Sequence, residues 1–143
     1  FSYDYATYWE LLTKNLLAKH TVQPVHNIQQ FMVLYNLVGQ DCIKLVTAQI
    51  EGKIIGGIVL FVTPIGLHAQ YIASDSDFQE LRPVNAVIDF IIDWGIENKF
   101  SYFNLGSGNE DGGRKINAGL FSFKEGFGGR GVLRETMSLI LNH

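Results

Sequence analysis

The side chains best suited to chemistry in this chain crowd into Ser101 to Gly129, SYFNLGSGNEDGGRKINAGLFSFKEGFGG. Glu110 and Asp111 lie in a glycine-rich loop, Arg114 opens the segment after it, Lys124 lies near that segment's end, and Phe127 sits between glycines. Carboxylates can take a proton from a nucleophile, and a cation can hold an anion or a developing oxyanion. Glycines serve tight chain reversals, or they let a substrate lie against bare backbone. A second cluster is His20 to His26, two histidines six apart beside Pro24. They can line a substrate pocket or serve as ordinary loop residues; no third ligand at metal spacing accompanies them. His68 and Gln70 are polar residues within an apolar run, read either as half-exposed surface or as substrate contacts, and Tyr71 beside them can donate a proton. Asp89 and Asp93 stand four apart, which reads as the solvated face of a helix.

The elements that must position these groups follow from pattern and punctuation. Thr7-Tyr8-Trp9-Glu10 reads as a capping box, with Thr7 as cap, starting a helix to about His20 that carries Trp9, Leu12 and Leu16 on one face. Asn27 and Gln30 repeat the signal, Phe31, Leu34, Tyr35 and Val38 follow at helical spacing, and Gly39 closes that helix. Apolar runs at Ile43 to Ile50, Lys53 to Thr63 and Leu67 to Ser74, joined by Glu51-Gly52 and Pro64-Ile65-Gly66, predict an antiparallel meander. Gly56-Gly57 predicts a bulge or a close backbone approach. In the third run, alternation places His68, Gln70 and Ile72 on one face and Ala69, Tyr71 and Ala73 on the other. Pro83 opens a helix to about Lys99 whose polar stripe is Asn85, Asp89, Asp93 and Glu97, so most of its girth should be buried. Ser101 to Leu105 reads as a short strand, about Lys115 to Glu125 as a helix, and Gly131 to Leu141 as a last strand. The order α-α-β-β-β-α-β-α-β predicts an α+β fold. It should contain one mostly antiparallel twisted sheet of five or more strands, with the Pro83 helix on one face.

Composition bounds the rest. At 143 residues the chain is the size of a single domain, with 47% hydrophobic and 17% charged residues. A net charge of −3 gives no general attraction to phosphate backbones. The one cysteine, Cys42, precludes an intrachain disulfide, fits a reducing compartment, and reads as a small buried residue rather than a nucleophile. No apolar run reaches the length of a membrane span, and no signal peptide is visible. Such a chain is expected in the cytoplasm. It begins at Phe1 and not Met, so it is expected to be a fragment of a longer protein.

From Tyr71 through Phe127 the pattern resembles the FemAB-like branch of the GNAT acyltransferase superfamily. In that branch a strand leads through a small-residue loop into a helix with a Phe-Lys pair, here Phe123-Lys124, followed by an aromatic residue, here Phe127. The resemblance covers about Ile43 to Thr136. It implies a GNAT fold lacking its usual first strand, here as the second of two GNAT-type halves, pairing with another half or as a homodimer. It implies transfer of an acyl group, in the simplest case acetyl, from acyl-CoA to an amine, such as that of an amino sugar or cell-envelope precursor, with no metal. A non-catalytic half that binds substrate or a partner half is the alternative. The backbone of Ile72, Ala73 and Ser74 would face pantetheine and the thioester, with Arg82, Asn85 and Asn117 also on the donor side. His26, His68, Arg114 and Phe127 would contact the acceptor. Tyr71 would protonate the leaving thiolate, and Glu110 or Asp111, the nearest acidic residues in sequence, would take the amine proton. Lys124 either snorkels to solvent along Leu120 and Phe121 or points to where the acyl group is transferred. Where most GNAT enzymes carry an Arg/Gln-x-x-Gly-x-Gly/Ala loop over the pyrophosphate, this chain has Gln79 to Asn85 with no glycine and with Pro83. FemAB-type transferases also lack that loop and use aminoacyl-tRNA, which makes tRNA the minor alternative partner.

Overall fold

The computed structural model describes residues 1–135 and 137–139, with the backbone alone at 19 and 20. It divides into two compact units, Phe1–Gly106 and Ser107–His143.

In the first unit α1 (Tyr5–His20) and α2 (Ile28–Val38) precede three strands, β1 (Ile43–Ile50), β2 (Lys53–Val62) and β3 (Gly66–Ser74). A 3₁₀ turn, Ser76–Leu81, leads to α3 (Pro83–Glu97) and then β4 (Tyr102–Asn104). The strands form one sheet in the order β1-β2-β3-β4, antiparallel except for β3 and β4, which run parallel. Among the described residues that sheet has four strands, not five or more. The final strand expected at Gly131 to Leu141 does not form in 131–135 or 137–139. The rest of that expectation, at Thr136, Ile140 and Leu141, lies outside the described residues.

Helices cover both faces of the sheet. Tyr5, Tyr8, Trp9, Leu12 and Phe31 pack with Ile43, Leu45, Val59 and Tyr71 in one core cluster. Val87, Ile88 and Ile91 of α3 are buried, as are Ile58 and Leu60 of β2, and Leu67 lies 3.4 Å from where Gly95 would carry a Cβ. Each such aliphatic side chain contributes about 1.5–3 kcal/mol of transfer free energy. Glycines set how close the layers come. A Cβ at Gly56 would lie 2.8 Å from Pro83, and one at Gly57 would lie 2.9 Å from the Tyr8 ring. The close approach expected of this pair therefore occurs on both faces.

Several boundaries differ from the sequence reading. The first helix is capped by Asp4, whose carboxylate accepts from Thr7 N–H, so it starts one turn ahead of a Thr7 cap. The Asn27–Gln30 capping box forms as expected. Cys42 is exposed, because the turn from α2 into β1 keeps it outside the core. On α3 Asp89, Asp93 and Glu97 are exposed, but so are Phe90 and Ile96, so less of its girth is buried than its composition suggested.

In the second unit the glycine-rich loop is a small hairpin of β5 (Asn109–Glu110) and β6 (Lys115–Ile116) around the turn Asp111–Gly113. Its positive-φ residues, Asp111, Gly112 and Gly113, make the reversal. α4 (Ala118–Glu125) is thus shorter than expected, because Lys115 and Ile116 belong to the hairpin and Asn117 caps the helix by accepting from Leu120 N–H.

Candidate active site

The site is organised by an irregularity in β3. Val59 pairs with Tyr71 and Leu60 with Ala69, so Gln70 is an extra residue without a partner on β2. Such a bulge reverses the alternation beyond it. Leu67 and Ala69 face the α3 side, whereas Tyr71 and Ala73 join the core under α1 and α2. His68 pairs opposite Phe61, which packs on that same α1/α2 core, with ring centroids 6.5 Å apart. His68 and Tyr71 therefore share a face, and the strict alternation that separated them is corrected. Ile72, opposite Ile58, does not share it, while the bulged Gln70 reaches the Tyr71 phenol with its side chain.

The loop between α1 and α2 brings His26 to this face. Trp9 Nε1 donates to the His26 carbonyl at 3.2 Å, and His26 Nδ1 lies 2.6 Å from the Tyr71 hydroxyl. Burial pushes the Tyr71 phenol up, against a smaller opposite effect of Gln70. The phenol therefore keeps its proton at neutral pH, and in the imidazole tautomer with its hydrogen on Nε2 it donates that proton to Nδ1. Trp9 and Phe31 wall the Tyr71 ring at 5.1 and 6.4 Å. Beside the bulge the Tyr8 hydroxyl shares its one proton between the Gly57 and Tyr71 carbonyls, each 3.0 Å away.

Beyond His68, β3 has a strand neighbour on the β2 side alone among the described residues, because β4 pairs only with Gly66–His68. Ile72 and Ser74 are half-buried and Ala73 is buried. The end of this open length is fixed firmly. Asn15 Nδ2 donates to the Ser74 carbonyl at 2.6 Å, and Asp75 N–H donates to Ile55 O. The Asp75 carboxylate, buried, meets Lys53 at 2.9 Å and Lys14 at 3.8 Å, and accepts from Asp77 N–H. The Lys53 hydrogen bond does most to hold its carboxyl below the usual range. Asn15 and Asp75 were not singled out in the sequence. Their one signal is that Asp75 precedes Ser76-Asp77, an Asx-type turn start.

An acyl-CoA would meet unequal halves of this site. The one-sided length of β3 suits the narrow pantetheine arm. The start of α3 suits pyrophosphate poorly. Arg82 is exposed in the left-handed region at φ 49°, Pro83 has no N–H, and the Asn85 and Ala86 N–H groups both donate to Arg82 O. Val84 keeps the one N–H of the first turn that can reach an anion. No group of three metal-ligating side chains occurs among the described residues, and no helix there is long and apolar enough to cross a membrane.

The second unit holds the remaining candidates. Glu110 accepts from Asn117 Nδ2 at 2.6 Å and lies 3.8 Å from Lys115 Nζ. Arg114 is exposed and caps the hairpin turn, its N–H donating to Asp111 O. Phe127 packs edge-on to Phe123 at 5.3 Å. Lys124 Nζ donates to the Ser107 carbonyl in the glycine-rich loop, and burial pulls its ammonium down.

Known proteins bear on this arrangement at two levels. In solved structures the same fold occurs in an acetyltransferase of Trypanosoma brucei, with a TM-score of 0.65 and 18% identity over 96% of this chain and 93% of that one. It occurs in an aminoglycoside acetyltransferase from an uncultured soil metagenomic sample, solved with sisomicin, at TM-score 0.67 and 16% identity over 96% and 91%. A possible acetyltransferase from Clostridium difficile 630 superposes at TM-score 0.74 with 12% identity over 98% and 93%. At such identities the likeness is one of fold. No curated protein sequence matches the chain significantly. The family model described as an acetyltransferase (GNAT) domain matches residues 4–112, a stretch that holds the whole sheet and ends before Arg114, Asn117, Lys124 and Phe127. Taking the match over most of its length with the sheet, the bulged third strand and the parallel fourth, this chain belongs to the GNAT acetyltransferase domain family.

Proposed function

We propose that the chain transfers an acyl group from acyl-CoA, in the simplest case acetyl-CoA, to the amine of a small molecule such as an amino sugar or cell-envelope precursor. The observation that carries this reading is the His26–Tyr71 contact, 2.6 Å long, next to the one-sided length of β3. The donor's thioester would lie along Ile72, Ala73 and Ser74, with Arg82 and Asn85 toward the pyrophosphate, and the acceptor against His26 and His68. Tyr71 would protonate the leaving thiolate. Asn117, Glu110, Arg114, Phe127 and Lys124 keep the donor, base, acceptor and oxyanion roles that the resemblance implies, each open to test by substitution. Such an enzyme would act in the cytoplasm, where acyl-CoA is made, alone, as a homodimer or beside a second GNAT-type half. Calorimetric titration with acetyl-CoA, followed by thiol release with a panel of amino sugars, aminoglycosides and amino-acid amines, tests the reading. Micromolar donor binding and amine-dependent thiol release are expected.

A second reading has its own observation. The start of α3 offers a pyrophosphate a single N–H and one flexible cation. That poverty favours a FemAB-type transferase, whose donor is aminoacyl-tRNA, or a half that binds without catalysing. Absence of heat with acetyl-CoA from a folded sample, together with binding to aminoacyl-tRNA, would move the assignment to the transferase of that type.

A further inference from the structure

We propose that Tyr71 and His26 form a proton relay for the acceptor amine, with Tyr71 touching the nitrogen and His26 storing the proton; the inference rests on the acyl-transfer reading. An alkylamine is an ammonium ion at neutral pH, with an unperturbed pKa near 10, and cannot attack a thioester until it loses a proton. Glu110 is poorly placed to take it, because Asn117 and Lys115 already engage its two oxygens. On the α1/α2 face the groups around the pair are Trp9 from α1, Phe31 from α2, Gln70 from the bulge, and His68 one row along β3, about 7 Å away. No ion pair among the described residues involves His26 or Tyr71. Of the groups in contact with the Tyr71 hydroxyl, His26 is the one with a ring nitrogen able to take a proton.

The step balances in atoms and charge. One N–H bond of the ammonium breaks as its proton passes to the Tyr71 oxygen. The Tyr71 O–H bond breaks as that proton passes to His26 Nδ1, where a new N–H bond forms. The amine becomes neutral and His26 becomes the cation. Tyr71, walled by aromatic rings, holds no charge before or after. The pair resets when Tyr71 gives its proton to the leaving thiolate and His26 Nδ1 returns its proton to the Tyr71 oxygen, which restores the neutral imidazole with its hydrogen on Nε2. Trp9 holds the His26 backbone carbonyl and not its ring, so the anchor survives replacement of the side chain.

The test uses the whole chain and two variants, His26→Gln, which still accepts a hydrogen bond from Tyr71 but stores no proton, and Tyr71→Phe, which keeps the ring packing. The readouts are kcat/KM for the amine from pH 5 to 10 and acetyl-CoA binding by calorimetry. His26→Gln should fall 10²–10⁴-fold at pH 7 and recover toward the wild type as pH approaches the amine's own pKa, while Tyr71→Phe, which also lacks the acid for the leaving thiolate, should fall as far and not recover, with donor binding unchanged in both. A uniform drop in His26→Gln with the wild-type pH profile retained would make the pair structural and overturn the relay while leaving acyl transfer standing. A folded wild type inert toward every amine would instead overturn the acyl-transfer reading, and the relay with it.

Discussion

Tyr8 is the residue whose loss should report most directly on how the bulged strand is held. Its side chain is fully buried, and its one hydroxyl proton is shared between two carbonyls 3.0 Å away, Gly57 on β2 and Tyr71 on β3. Tyr8→Phe keeps the ring and removes that shared donor. Taking a donor away from buried carbonyls should cost about 2 kcal/mol. For a chain of this length that is a melting temperature lower by about 7 °C. Tyr5 supplies the control. It is also buried, but its hydroxyl reaches the backbone only at Ile43 O, at 3.4 Å, outside the usual O–H···O range, and its other partner is the half-buried side chain of Tyr35. Tyr5→Phe should cost less than about 0.5 kcal/mol, or under about 2 °C. Calorimetric melts at pH 7 of the wild type and both variants decide the matter. A Tyr8→Phe protein melting with the wild type, or a Tyr5→Phe loss equal to that of Tyr8→Phe, would refute the assignment of this shared donor as the clamp beside the bulge.

The other expectations concern the ends of the site. Replacing Asp75 by Asn should flatten the acid limb of the stability curve. The carboxyl's folded pKa is depressed, chiefly by Lys53, so its stabilisation is complete above the unfolded value near 3.9 and drains away as pH falls through the folded one; urea midpoints between pH 6 and pH 2.5 that fall equally in both proteins would contradict this. Arg82→Ala should weaken coenzyme A binding about tenfold, the loss of one charge-assisted contact, and calorimetry showing an unchanged affinity would remove Arg82 from the donor site. Lys124→Met should lower turnover more than tenfold with the melt displaced by a few degrees at most, since one oxyanion donor is worth roughly 3 kcal/mol; full activity would remove Lys124 from the catalytic roles and leave it a structural one.

What the sequence discloses and what it conceals divide along the range of the interactions. The Asn27–Gln30 box, the three long strands and the Pro83 helix rest on local chemistry, on caps, turns and apolar runs, and they stand where their residues put them. The sheet order and its parallel last pair follow from connection lengths, since a crossover helix separates β3 from β4 while tight turns join the others. The facing of His68 could not be read that way. A two-residue alternation is correct for every strand residue until one extra residue enters, and no local residue type marks Gln70 as that residue. It is defined by pairing with β2, thirty-odd Å of chain earlier in the meander. The same holds for Asn15 and Ser74, and for His26 and Tyr71, partners separated by 59 and 45 positions. His26, Tyr71 and Ser74 are legible as candidates one by one, Asn15 is not, and none is legible as half of a pair. In the second unit the error ran the other way. The apolar spacing after the loop reads as a helix from about Lys115, whereas Gly112 and Gly113 at positive φ close a hairpin that takes Lys115 and Ile116 as its return strand. The chemistry of this chain therefore rests on non-local contacts made by residues whose types were informative and whose partners were not. The His26–Tyr71 pair, the most telling of them, exists because a bulge turned one tyrosine toward the loop that carries the histidine.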